Sequence, residues 1–122
     1  MLNLSHKQLD VYKTSLKLVK EVYNATKQFP KEEQYVLTSQ MRRAAISVSS
    51  NIAEGAARKS KLEKRRFYEI SRSSLVEIDT QFEIAIILEY YEKEKLAELE
   101  QFSESTFRML SKMIENLSEE KG

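Results

Sequence analysis

Three kinds of side chain in this sequence are of types that do chemistry: one histidine, a few closely spaced carboxylates, and a run of arginines and lysines. His6 is the only histidine, and it stands at the start of the first expected helix, where a solvated role accounts for it better than catalysis or ligation. Glu77, Asp79 and Glu83 lie close together, but at about 100° per residue their spacing does not put all three on one helix face. They read as a solvated acidic patch. Di-iron helical bundles need Glu-x-x-His pairs directed inward, and the sequence holds no such pair. It has no cysteine, so it has no disulfide framework and no thiolate metal site. A Gly-rich phosphate loop, a P-loop lysine and a Ser/His/Asp set are also missing. The expectation is a non-enzyme with no catalytic residue, no metal and no cofactor.

The basic run is the functional signal. Arg58, Lys59, Lys61, Lys64, Arg65, Arg66 and Arg72 surround the corner between the second and third expected helices, with Arg42 and Arg43 further back and Tyr68 interleaved. Cations at this density neutralise phosphates and release counterions, which gives salt-sensitive and largely sequence-independent binding. RNA or DNA is the partner class such a corner would take. The alternative is that these side chains pair with an acidic surface of the fourth helix or solvate a loop. The net charge of +1 conceals this polarity. Residues 42–72 carry nine Lys/Arg against three Asp/Glu, and residues 73–122 carry five against twelve. A basic middle therefore meets an acidic C-terminal half, either neutralising it within the fold or forming two opposite poles.

The element that must position these cations is the stretch Met41 to Ser60. Read as a helix, it gathers Leu37, Met41, Ala44, Ala45, Val48, Ile52, Gly55 and Ala56 into an arc about 120° wide. Ile46, Ser49, Ala53 and Ala57 extend that small or apolar surface, leaving Gln40, Arg43, Ser47, Asn51 and Glu54 on a narrow polar side. Small residues let neighbouring backbones approach, so this is a central, tightly packed helix. Asn51 and Glu54, about 60° apart at the edge of the arc, are expected as structural polar groups at a helix or subunit contact, not as a catalytic pair.

With two glycines and one proline in 122 residues, long helices with few connections are expected. Ser5 to Gln8 fits a capping box that opens helix 1, and Leu9, Tyr12, Leu16, Val19 and Tyr23 form its heptad seam. Phe29-Pro30 ends it. Helix 2 then runs from about Lys31 to about Ala57, with Glu32 and Glu33 at its positive end; Gly55 could instead end it early. Ser60 to Glu63 is a second capping box and opens helix 3. Its core stripe is Phe67, Ile70, Ser74, Ile78, Ala85 and Leu88, widened by Leu75 and Phe82. A second stripe, Val76, Thr80, Ile84, Ile87 and Tyr91, lies nearly opposite. The turn to helix 4 is placed near Glu92 to Glu94. Helix 4 shows Leu96, Leu99, Thr106, Leu110, Met113 and Leu117, with Phe102, Phe107 and Ile114 beside them, and frays at Ser118 to Gly122.

These elements predict an all-α, antiparallel up-down-up-down four-helix bundle in a single domain spanning residues 1–122. A chain of this size buries about two-thirds of its unfolded surface and can fold alone. No apolar run is long enough to span a membrane, and the N-terminus lacks the apolar segment of a signal peptide, so a cytoplasmic protein is expected. The second stripe of helix 3 needs a second neighbour. A homo-oligomer follows as an expectation, with Ile46, Ser49, Ala53, Val76, Ile84, Ile87 and Tyr91 at its interface.

The order of features also resembles a known family, the four-helix bundle proteins that include the 23S rRNA intervening-sequence proteins, often labelled S23 ribosomal proteins. Carrying the resemblance are Phe29-Pro30 with Glu33 and Tyr35, Gln40 to Ala45, Ser47, Asn51-Ile52-Ala53-Glu54-Gly55, Arg58 and Ser60. Phe67 to Ile70, Ser73 to Leu75 and Glu77 continue it, over roughly residues 9–117. The resemblance implies a bundle that assembles into a ring-like homopentamer. The chain is also similar to the accessory variability protein of diversity-generating retroelements, which implies nucleic acid and a reverse transcriptase as partners. Two functions therefore stand side by side. One is a non-catalytic oligomer that binds nucleic acid through the basic corner. The other is a homo-oligomeric scaffold for a protein partner, with no nucleic-acid binding of its own.

Overall fold

A computed structural model describes residues 1–119. It contains four long helices, α1 (Asp10–Thr26), α2 (Leu37–Ala57), α3 (Lys61–Ile87) and α4 (Ala97–Glu119). Single 3-10 turns at Ser5–Gln8, Lys31–Glu33 and Lys93–Leu96 precede α1, α2 and α4. The helices touch in cyclic order, α1 on α2, α2 on α3, α3 on α4 and α4 back on α1. Cross-helix hydrogen bonds fix their directions. Ser15 meets Ser49, while Arg42 reaches back to Thr26. Ser71 meets Val48, while Lys64 reaches Ala56. Arg65 meets Ser118, while Arg72 meets Ser111. In each pair the residue number falls on one helix as it rises on the other, so consecutive helices are antiparallel.

The second helix is the central element, as its composition demands. Leu37, Met41, Ala44, Ala45, Val48, Ile52 and Gly55 are all buried. Helix α2 continues past Gly55 to Ala57, and that glycine has no positive φ. Its reason is space: a Cβ there would lie 2.6 Å from Tyr68 Cε1 and 3.2 Å from Phe67 Cβ. Glycine thus lets the Tyr68 ring lie directly on the α2 backbone. Buried serines complete the close α2–α3 contact. Ser71 Oγ donates to the Val48 carbonyl at 2.7 Å, and Ser74 Oγ donates to Ser47 Oγ at 3.0 Å. Each hydroxyl replaces a hydrocarbon that would hold the backbones apart while keeping its own polar atom satisfied.

Several expectations about the elements need correction. The Ser5 capping box does not form; the chain is extended at Leu9, and α1 begins at Asp10 without a side-chain cap. The α1 core stripe is Val11, Ser15, Leu18, Val22 and Ala25, one residue out of phase with the expected seam, and Leu16 is 46% exposed. The larger Tyr12 and Tyr23 drew the seam toward them, but the close approach of α1 to α2 selects small residues such as Ser15, which bonds Ser49 at 2.8 Å. Helix α2 starts at Leu37 rather than Lys31, because Pro30 is extended and Val36 breaks from helical geometry. Glu33 still serves the helix start: its carboxylate accepts from Leu37 N at 3.4 Å and from the Tyr90 hydroxyl at 2.7 Å. Glu33 is thereby tied to Tyr90, far along the chain.

A further correction concerns the end of α3, which stops at Ile87 in a Schellman closure. Tyr90 N–H donates to the Ala85 carbonyl at 2.8 Å and Glu89 N–H to Ile86 at 3.0 Å, with Glu89 at φ 62°. The turn thus comes earlier than Glu92 to Glu94 because Glu89 occupies the left-handed position usually held by glycine. Tyr90 and Tyr91 then fold onto Phe29, with ring centroids 5.8 and 6.5 Å away. In α3, Tyr68 and Ser71 are buried where Phe67 and Ile70 were expected, and Ile70 and Leu88 are exposed. In α4, Leu99, Thr106, Leu110 and Ile114 enter the core, while Phe107 is largely exposed. Ser118 and Glu119 continue α4, and residues 120–122 of the expected frayed end lie outside the described residues.

Candidate nucleic-acid interface

The basic residues divide by what holds them. Lys64 Nζ donates to the Ala56 and Gly55 carbonyls at 3.0 and 3.4 Å, closing the exposed C-terminal end of α2, where a cation offsets the negative end of the helix dipole. Arg42 does the same for α1: its Nε donates to Thr26 Oγ1 at 2.9 Å and its Nη2 to the Tyr23 carbonyl at 3.4 Å, with the guanidinium 4.5 Å from the Tyr23 ring. Arg65 Nη1 donates to Ser118 and Arg72 Nη1 to Ser111, at 3.2 and 3.1 Å, so both belong to the α3–α4 seam. Arg72 also lies over the Phe107 ring. Arg58 pairs with Glu54 at 2.9 Å and lies 4.7 Å from the Phe67 ring.

Lys59, Lys61 and Arg66 remain exposed at the α2–α3 corner, and Arg43 is exposed on α2. Arg42 and Arg43 do not share that corner. At 1.5 Å per residue, about 23 Å of helix separates them from Arg58. Of the nine candidate cations, Lys59, Lys61 and Arg66 thus stand exposed together at the corner and Arg43 stands exposed away from it, while Arg42, Arg58, Lys64, Arg65 and Arg72 engage carbonyls, hydroxyls, rings or a carboxylate. A charge engaged by a neutral carbonyl or hydroxyl is not cancelled, so Lys64, Arg65 and Arg72 still add positive potential along the corner.

The two polar residues of α2 also part company. Asn51 Nδ2 donates to the Ser47 carbonyl at 2.8 Å and to Ser47 Oγ at 3.0 Å, joining the Ser47–Ser74 link between α2 and α3. It is a structural polar group at a helix contact. Glu54 is not part of a helix–helix contact within the protomer; its side chain is exposed and spans one turn of its own helix to Arg58.

Of the expected interface residues, Val76, Ile84 and Ile87 are 55%, 42% and 78% exposed, and Ile46 is 46% exposed. Ala53 is half-buried. Two others are corrected. Ser49 is buried and spent on Ser15, because α1 and α2 approach too closely there to leave it outside. Tyr91 turns back on Phe82, ring centroids 5.8 Å apart, because α3 ends before it. A feature not found from the sequence is an acidic groove of about 250 Å³ between α3 and α4, where Asp79 and Glu83 join Glu100 and Glu104 over Ile78, Phe82, Leu96 and Leu99. The signal was present as two carboxylate pairs at i, i+4 spacing on helices expected to be neighbours. Among the described residues, no group of three or more His, Asp or Glu side chains is placed to hold a metal ion, and no helix is long and apolar enough to cross a membrane.

The model of the 23S rRNA-intervening sequence proteins matches residues 7–112. The chain belongs to that family. Among solved structures it is similar to a protein of unknown function from the S23 ribosomal protein family of Bacteroides thetaiotaomicron. That likeness covers 85% of this chain and 97% of the other, at 20% sequence identity and a TM-score of 0.75. At this identity it shows that the family's helical fold is shared. Comparison with curated proteins finds no match.

Proposed function

We propose that this member of the family is a non-catalytic, cytoplasmic, self-associating bundle that contacts nucleic acid through repeated basic corners. The observation that supports self-association is the outer face of α3. Its core-facing stripe already fills the bundle through Leu75, Ile78, Phe82 and Ala85, yet Ile87 and Val76 are more than half exposed and Ile84 is partly exposed along the opposite side. Burying a large apolar side chain against a second copy gains about 1.5–3 kcal/mol, and monomers seldom leave such a row uncovered. A ring of five, the assembly that the family resemblance implies, would show Lys59, Lys61 and Arg66 five times, so weak phosphate contacts would add into useful avidity.

Light scattering on the wild type beside Ile87→Glu tests the first half. A species several times the 14.3 kDa chain mass is expected for the wild type, and a smaller one for the variant. Fluorescence anisotropy with labelled RNA and DNA over a salt series tests the second half. A steep loss of affinity with salt, removed by Lys59→Glu, Lys61→Glu and Arg66→Glu together, is the expected result. A second reading, a scaffold for a protein partner such as a reverse transcriptase, is favoured by Arg42, Lys64 and Arg72 being engaged within the fold. Absence of salt-dependent binding by an intact oligomer would select it.

A further inference from the structure

The bundle has two apolar grooves with rims of opposite charge. Between α3 and α4, Ile78, Phe82, Leu96 and Leu99 floor the acidic groove, and Asp79, Glu83, Glu100 and Glu104 line it, with Lys93 at one end. Leu75, Val76 and Phe107 extend the apolar surface along the same seam. The second groove lies between α1 and α2, lined by Tyr12, Leu16, Val19, Ile46 and Ala53. Lys13 and Lys20 flank Leu16 at i−3 and i+4, and Arg43 flanks Ile46 at i−3, positions adjacent on a helix surface. All three cations are exposed. Because contacts run cyclically from α1 through α4, the α1/α2 seam and the α3/α4 seam lie on opposite sides of the bundle.

We infer that the α1/α2 groove of one copy docks on the α3/α4 groove of the next, Lys13, Lys20 and Arg43 of one facing Asp79, Glu83, Glu100 and Glu104 of the other. This rests on the self-association proposed above and assigns its geometry. The occupant is a second copy because this chain itself carries the complementary surface: apolar floor for apolar floor, and cations for carboxylates. A two-fold contact of either groove with itself would set like charges together. The contact is therefore heterologous. It repeats in one rotational sense, leaves one donor and one acceptor face on every copy, and ends only by closing into a ring.

The test is charge reversal on each face, read by analytical ultracentrifugation, with melting temperature measured to show that each variant folds. Asp79→Lys with Glu83→Lys, and separately Lys13→Glu with Lys20→Glu, are each expected to weaken self-association at least about tenfold, since either sets like charges face to face. All four substitutions in one chain are expected to recover assembly relative to either double variant, since the exchanged positions then carry opposite charges again while Arg43, Glu100 and Glu104 are unchanged. A folded wild-type oligomer that either double variant leaves intact, or that the quadruple variant fails to restore, would overturn this pairing while leaving self-association standing. A wild-type monomer at high micromolar concentration would overturn both.

Discussion

Asn51 and Glu54 stand three positions apart on one helix, yet their contributions to stability differ in kind. Asn51 is half-buried and donates twice to Ser47, whose hydroxyl in turn receives Ser74. Truncation removes two hydrogen bonds at a partly desolvated contact, so Asn51→Ala should lower stability by about 1–2 kcal/mol. Glu54 makes an exposed i, i+4 pair with Arg58, and Glu54→Ala should change stability by less than about 0.5 kcal/mol. Urea denaturation of the two variants checks the contrast; equal effects would contradict it. Both were expected from the sequence to serve a contact, because the wheel places both at the arc's edge. What it could not show is that Asn51 joins the Ser47–Ser74 link to α3 while Glu54 stays exposed. The basic corner shows the same limit: charge was legible residue by residue, while the capping of helix ends by Lys64 and Arg42 depends on where those ends fall.

At the scale of the element, helix identity was legible because an apolar periodicity over five or more turns has one reading. Phase and boundaries were less so. The α1 stripe turned on which side meets small residues, a property of α2 as much as of α1. The end of α3 was hidden because its left-handed residue is Glu89, with no glycine to mark it. A non-glycine residue there carries a conformational cost that glycine avoids. Glu89→Gly should therefore raise stability by about 0.5–1 kcal/mol, since the side chain is exposed and no hydrogen bond from it is lost. A shift of the thermal midpoint upward checks this; a downward shift would mean that the added freedom of the unfolded chain outweighs the strain removed.

The molecule as a whole carries a sensitivity to alkali. Tyr68 is held above the ordinary tyrosine value by burial, as is Tyr91, with Glu21 adding to the latter. Tyr90 is raised first by its hydrogen bond to the Glu33 carboxylate, then by burial. A raised tyrosine favours the protonated fold, so its contribution is complete below about pH 10 and is lost as the pH climbs through the higher folded-state value. Stability in urea should be level with respect to these groups below pH 10 and fall above it, and Tyr90→Phe should fall less steeply. A wild-type decline that Tyr90→Phe leaves equally steep would deny Tyr90 a part in it.

The link between α2 and α3 is only three residues, Arg58 to Ser60, and it joins the two helices that share the buried serine bonds. A connection this short costs little entropy to close. Contacts near in sequence form before those that wait for a long loop, whereas α1 meets α4 only after the whole intervening chain is in place. The connectivity thus predicts an order of assembly: the α2–α3 hairpin should condense first, α1 and α4 should dock on it, and the seam between them should close last. Conservative truncations at Val48 and Ile78 should slow refolding, with φ-values above about 0.5, while those at Leu18 and Leu110 should mainly speed unfolding.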